Sequence, residues 1–119
     1  MRDHTKLRAF ELADNLALAI YQVTSSFPNN EMFGLTSQLR RAAVSIASNI
    51  VEGSARNSMA EYIKFLNIAY GSAKEVEYQI SLAYRLHYIE EANYKTLKEQ
   101  CIETSKVLNA LLRSLRSIS

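Results

Sequence analysis

The chain has 119 residues and is 48% hydrophobic and 22% charged, with a formal net charge of +2. That length fits one domain with a core of its own, and the composition is that of a folded chain, not a disordered one. Only 3 glycines and 1 proline are present, which disfavours a sheet protein and favours long helices joined by short links.

The first helix is predicted over residues 5–26. Phe10, Ala13, Ala17, Ile20, Thr24 and Phe27 recur at steps of three and four, and Leu12, Leu16 and Val23 widen that face. Pro28, Asn29 and Asn30 end it, because proline lacks a backbone donor and asparagine favours turns. The second helix is predicted over 35–56, with Gly53 near its end. The third, over 59–88, opens on Ser58-Met59-Ala60-Glu61, a capping-box pattern. Its core stripe reads Tyr62, Leu66, Ala69, Ala73, Val76, Ile80, Ala83 and His87. A break from Tyr88 to Ala92 leads to the fourth, over 91–117. There the stripe reads Tyr94, Leu97, Cys101, Thr104, Leu108, Leu111, Leu115 and Ile118 at heptad spacing. Four long helices with short links predict an all-α, antiparallel up-down-up-down four-helix bundle. One long coiled coil is the alternative, and Pro28 and the Gly53–Asn57 break argue against it. A few residues at each terminus are expected to fray.

No segment approaches the roughly 18 consecutive apolar residues that span a bilayer, so no membrane association is expected. The charged start Met-Arg-Asp-His-Thr-Lys is not a secretory signal. The lone Cys101 forms no internal disulfide, and the cytoplasm is the expected location.

The second helix carries more than one bundle helix needs. Leu39, Ala43, Ile46 and Ile50 form its core stripe, and Val44, Ala47 and Val51 a second apolar strip. That strip suits either a neighbouring subunit or a wide core face. A polar stripe remains: Gln38, Arg41, Ser45, Asn49, Glu52 and Arg56. Serine and asparagine are mediocre helix formers, so their alignment points to a hydrogen-bonded interface network. A ligand groove is the other reading.

Charge is unevenly distributed. Residues 34–51 hold Arg40 and Arg41 but no acid, and residues 104–119 hold Lys106, Arg113 and Arg116 but no acid. The topology gathers Arg2, Lys6, Arg8, Arg56, Lys64, Arg113 and Arg116 at one pole, against Asp3, Glu11, Glu52 and Glu61. The excess is either a site for a polyanion or a set of solvated helix ends with cations well placed at the fourth helix terminus. Repetition in an oligomer would strengthen the first reading.

The residues give little sign of catalysis. His87 ends a core stripe and reads as a half-buried structural histidine, His4 lies in the terminal arm, and Cys101 occupies a core position. Small helical ribonucleases place an arginine several residues before a histidine, and Arg85 and His87 are too close for that pattern. Glu61, Glu75 and Glu77 lack a water-activating partner. No metal-ligand spacing is present, and neither a catalytic residue nor a cofactor is expected. Tyrosines such as Tyr62, Tyr70, Tyr78, Tyr84 and Tyr88 suit stacking on bases but also ordinary packing.

The stretch FGLTSQLRRAAVSIASNIVEGSARNSMAEYIKFLNIAYGSAKEVEYQI resembles the 23S rRNA intervening-sequence protein family. The family pattern Q-x-R-R-A-A-x-S-I-x-x-N-I-x-E-G-x-x-R, then E-[FY] and A-x-G-S-x-x-E, falls on Gln38, Arg40, Arg41, Ala42, Ala43, Ser45, Ile46, Asn49, Ile50, Glu52, Gly53, Arg56, Glu61, Tyr62, Ala69, Gly71, Ser72 and Glu75. The match is ungapped, and with the flanking helices it covers nearly the whole chain. Ala47 stands where proline is frequent and Phe10 where tryptophan is common. The first departure implies a straighter second helix.

The resemblance implies a four-helix bundle assembling into a ring-like homopentamer. Some members of the family are encoded within insertions in large-subunit ribosomal RNA genes. A related branch serves as an accessory subunit of retroelement reverse transcriptases, through a positive surface. Structured RNA or DNA, a protein partner and other copies of the chain are therefore the partners that the resemblance suggests.

Overall fold

The computed structural model describes residues 2–118. Four helices carry the fold: α1 (Arg8–Thr24), α2 (Leu35–Ser54), α3 (Met59–Arg85) and α4 (Glu91–Ile118). Each packs on its neighbours in the cyclic order α1, α2, α3, α4, and α1 closes against α4. The result is the antiparallel four-helix bundle that the periodicity predicts.

The core follows the stripes closely on α2 and α3. Leu39, Ala43, Ile46 and Ile50 are fully buried against Leu66, Ala69, Ala73, Val76 and Ile80. Burying each large aliphatic side chain contributes about 1.5–3 kcal/mol. The interleaved alanines let the helices approach closely. On α1 the line of burial runs through Ala9, Ala13, Leu16, Ile20 and Thr24. Phe10 and Ala17, which the predicted stripe includes, are only half-buried, each one position off this line.

On α4 the prediction drifts. Leu97, Cys101, Thr104 and Leu108 are buried as expected, but Leu112 is the buried leucine of the last turns and Leu111 is half-buried. Ile118 is 72% exposed. A straight helix of 3.6 residues per turn rotates about 20° per heptad away from a strict seven-residue repeat. Two heptads along, that rotation brings the next residue inward.

The helix ends differ from the predicted bounds for local reasons. The Asp3 carboxylate accepts the Thr5 backbone N–H at 3.0 Å, which winds His4–Lys6 into a 3-10 turn. Leu7 is then extended, so α1 starts at Arg8. The terminal arm is packed instead of frayed: the Arg2 N–H reaches the Ser54 carbonyl at 2.9 Å, and His4 sits edge-on to Phe10 at 4.7 Å. At the start of α3, Ser58 Oγ accepts from the Glu61 N–H at 3.0 Å. Among the described residues, the Glu61 carboxylate makes no return bond to Ser58, so only the serine half of the box forms.

His87 is corrected most sharply. It is exposed and takes φ 65°, ending α3 instead of extending its stripe. The Tyr88 N–H bonds to the Ala83 carbonyl and the His87 N–H to the Tyr84 carbonyl, both at 2.9 Å. This is the paired closure of a left-handed helix end, a position usually held by glycine. Tyr88 then packs on Phe27 with centroids 5.4 Å apart and donates its hydroxyl to Glu31 at 2.8 Å. The α3–α4 and α1–α2 links are thus locked together at one pole.

Candidate functional site

The opposite pole gathers the cations. Arg2 donates to the Arg56 carbonyl at 3.0 Å and lies 4.2 Å above the Tyr62 ring. Arg56 pairs with Glu52 at 2.9 Å and stands 5.0 Å from the Phe65 ring centroid. Arg116 donates to Asn67 Oδ1 at 2.8 Å, which ties the end of α4 to the first half of α3. Arg8 pairs with Glu103 at 2.8 Å, both side chains well exposed. Such a pair contributes only about 0.2–1 kcal/mol, but it neutralises local charge.

Lys6, Lys64 and Arg113 are exposed, and among the described residues no hydrogen bond or ion pair engages their side chains. The seven predicted cations therefore divide. Arg2, Arg8, Arg56 and Arg116 hold the fold or one another's neighbours, while Lys6, Lys64 and Arg113 present unengaged charge to solvent.

Adjacent arginines on α2 also part ways. Arg40 turns inward: its Nε donates to Thr24 Oγ1 at 2.9 Å, and its guanidinium lies 4.6 Å over Tyr21. Arg41 and Gln38 point out to solvent. Further along, Ser45 Oγ and Ser72 Oγ lie 2.9 Å apart. Asn49 Nδ2 donates to the Ser45 carbonyl at 2.8 Å and to Ser45 Oγ at 3.0 Å. The inner half of the polar stripe thus binds α2 to α3 within one chain. Its outer half lines an open groove of about 510 Å³, with Phe33, Gln38, Arg41 and Ser45 on one side and Ser72 and Glu75 on the other. On the second apolar strip, Val44 is 41% and Val51 37% exposed, and Ala47 is half-buried.

Phe33 is the residue that periodicity missed. It is 97% exposed, at the rim of that groove. The available signal was an aromatic residue in a turn, just before Gly34 and outside every stripe.

Most groups with reactive chemistry are engaged elsewhere. Burial, reinforced by the Glu77 charge and opposed by Lys74, pushes the Cys101 thiol up to about 12. Glu75 accepts from Gln79 at 3.4 Å, and Glu77 pairs with Lys74 at 3.5 Å. Among the described residues, no group of three or more His, Cys, Asp or Glu is placed to hold a metal ion, and no helix is long and apolar enough to cross a membrane. Of the tyrosines, Tyr62 is buried, Tyr84 and Tyr94 stack at 4.4 Å, Tyr70 lies 5.7 Å from the Lys74 ammonium, and Tyr78 is 60% exposed.

Residues 5–110 match the sequence model of the 23S rRNA-intervening sequence protein. A solved structure is also similar, that of a protein of unknown function from the S23 ribosomal protein family of Bacteroides thetaiotaomicron. The two chains are 27% identical, with a TM-score of 0.81 over 88% of this chain and 95% of that one. No curated protein matches.

Proposed function

The chain belongs to the 23S rRNA-intervening sequence protein family, and on that premise we propose that it is a non-catalytic, self-associating bundle that holds RNA or another nucleic acid on a repeated basic surface. One observation carries the reading: Lys6, Lys64 and Arg113 are exposed and unengaged. They sit on the elements that converge where Arg2 meets Arg56 and Arg116 meets Asn67. One copy offers too few cations for tight phosphate binding. A ring such as the homopentamer implied by the family multiplies them on one rim, and each neutralised phosphate adds to affinity through counterion release.

A second reading, a protein-interaction scaffold or an accessory subunit of an enzyme such as a reverse transcriptase, is supported by the exposure of Phe33, Val44 and Val51. Salt separates the two. With a structured RNA, the first reading expects affinity to fall steeply as salt rises. Charge reversal at Lys6, Lys64 and Arg113 is expected to weaken binding and flatten the salt slope by about one unit for each phosphate that is no longer neutralised. Affinity that ignores both salt and charge reversal would overturn the nucleic-acid reading. A stable monomer at micromolar concentration, by mass measurement, would overturn self-association.

A further inference from the structure

Tyr78 is the tyrosine whose ring is left alone. Among the described residues, Tyr21 and Tyr62 lie under arginines, Tyr70 faces the Lys74 ammonium, Tyr84 and Tyr94 stack on each other, and Tyr88 packs on Phe27. Tyr78 has no such ring partner there, and it is 60% exposed within the regular helix α3. A tyrosine side chain has only two torsions, so covering its face costs little freedom.

Tyr78 borders an open groove of about 440 Å³ between α3 and α4, lined by Lys74, Glu77 and Ser81 on its own side and by Tyr94 and Lys98 on the other. Lys74, Tyr78, Ser81 and Arg85 follow at steps of four, three and four, which makes them one ridge of α3. On α4, Lys98, Lys106, Arg113 and Arg116 succeed one another at eight, seven and three positions, which keeps them on one side of that helix. Both ends of this second ridge meet α3. Lys98 lines the groove with Tyr78, and Arg116 donates to Asn67 at 2.8 Å.

Charge along the groove is positive once the paired groups are set aside. Glu77 is matched by Lys74 at 3.5 Å and Glu91 by Lys95 at 3.7 Å. Glu103 is held by Arg8 of α1, Glu75 lines the α2/α3 groove, and Glu90 lies in the link before α4. Glu99 is then the acid left beside Lys98, against Lys98, Lys106, Arg113 and Arg116 on α4 and Arg85 on α3, all exposed. Among the described residues no hydrogen bond or ion pair engages the side chains of Lys98 and Lys106. Arg113 also belongs to the cationic pole. The ridge thus continues that pole along the bundle for about 27 Å, at roughly 1.5 Å per residue from Lys98 to Arg116.

A row of cations with a free aromatic face at one end suits a single strand of nucleic acid. The cations follow the backbone, and the ring takes the face of a base. In a duplex each base is covered above and below by its neighbours, so only an unpaired base can lie on Tyr78. Every base has such a face, and phosphate contacts carry no sequence, so the groove selects strandedness and not sequence.

We infer that the α3/α4 groove holds a single-stranded segment of nucleic acid, with a base stacked on Tyr78 and the backbone led by Lys98 and Lys106 toward Arg113. The inference rests on the nucleic-acid reading proposed above, and its test separates the two. The chain has no tryptophan, so Tyr78→Trp places a single reporter on the groove. Its fluorescence is expected to be quenched by a short oligouridylate and not by a blunt RNA duplex of the same length. Tyr78→Ala is expected to weaken oligouridylate binding about tenfold with an unchanged salt slope, while Tyr78→Phe retains it. Lys98→Glu combined with Lys106→Glu is expected to flatten the slope instead. Oligouridylate that binds without quenching Tyr78→Trp, or that binds Tyr78→Ala as well as wild type, overturns the groove and leaves the cationic pole standing. Binding of structured RNA without any binding of oligouridylate does the same. A wild-type protein that binds neither overturns both.

Discussion

The Arg2 guanidinium lies 4.2 Å over the Tyr62 ring while it donates to the Arg56 carbonyl at 3.0 Å. One side chain thus fastens the terminal arm to the α2–α3 link. A planar guanidinium can stack and bond at once, which an ammonium cannot do. Arg2→Lys is therefore expected to lower the melting temperature while changing RNA affinity less than charge reversal at Lys64. Thermal melts and binding isotherms on the same variants check this.

Two helical glycines should respond oppositely to alanine. At Gly53 an added Cβ would meet Phe65 Cβ at 2.9 Å and the Tyr62 carbonyl at 3.3 Å, where α2 crosses α3. Overpacking of that kind costs about 1–3 kcal/mol and outweighs the gain of up to about 1 kcal/mol in helix propensity. At Gly71 an added Cβ meets nothing within 4 Å. Gly71→Ala should stabilise by about 0.5–1 kcal/mol and Gly53→Ala should destabilise, as read by denaturant titration of each variant.

His87 occupies the left-handed region at φ 65°, where a side chain costs about 1–2 kcal/mol relative to glycine. His87→Gly is expected to raise stability by about 1 kcal/mol. A loss of stability in the same denaturant titration would mean that the imidazole contributes more than the backbone strain costs.

The Cys101 thiol is pushed from its ordinary 9.0 up to about 12, chiefly by burial. A thiol reagent at pH 8 should leave it untouched until the chain unfolds. The linkage has a definite sign. Below pH 9 both states keep the proton and the stabilisation is whole. As pH rises from there toward 12 the unfolded chain ionises first, and stability falls by about 1.4 kcal/mol per pH unit. Cys101→Ala should lack that component of the alkaline slope, as comparison of the two unfolding profiles across this pH range will show.

Glu31 is held below its ordinary value of 4.5, first by the Leu35 N–H and then by the Tyr88 hydroxyl. Its contribution is present above that value and is lost as pH falls through the lowered one. Glu31→Gln should accordingly be less stable than wild type at neutral pH, with the difference shrinking on acidification. Acid unfolding of the two proteins is the measurement.

Sequence by itself determined which segments are helical and, on α2 and α3, which faces meet. Apolar spacing along a helix fixes its buried side, as at Leu39, Ile46 and Ile50 or at Leu66, Val76 and Ile80. Pro28 and the Ser58 cap act on backbone donors only a few residues away. The gathering of cations at one pole also follows from topology, which short links dictate. Only the tertiary structure decided what each polar side chain does. Arg40 and Arg41 are neighbours in sequence, yet one donates to a threonine across the bundle and the other faces solvent. Arg8 meets a glutamate 95 positions away, a pairing that no local spacing encodes. The exposure of Phe33 is likewise a property of the assembled bundle: it depends on the turn that Glu31 and Tyr88 brace from separate parts of the chain.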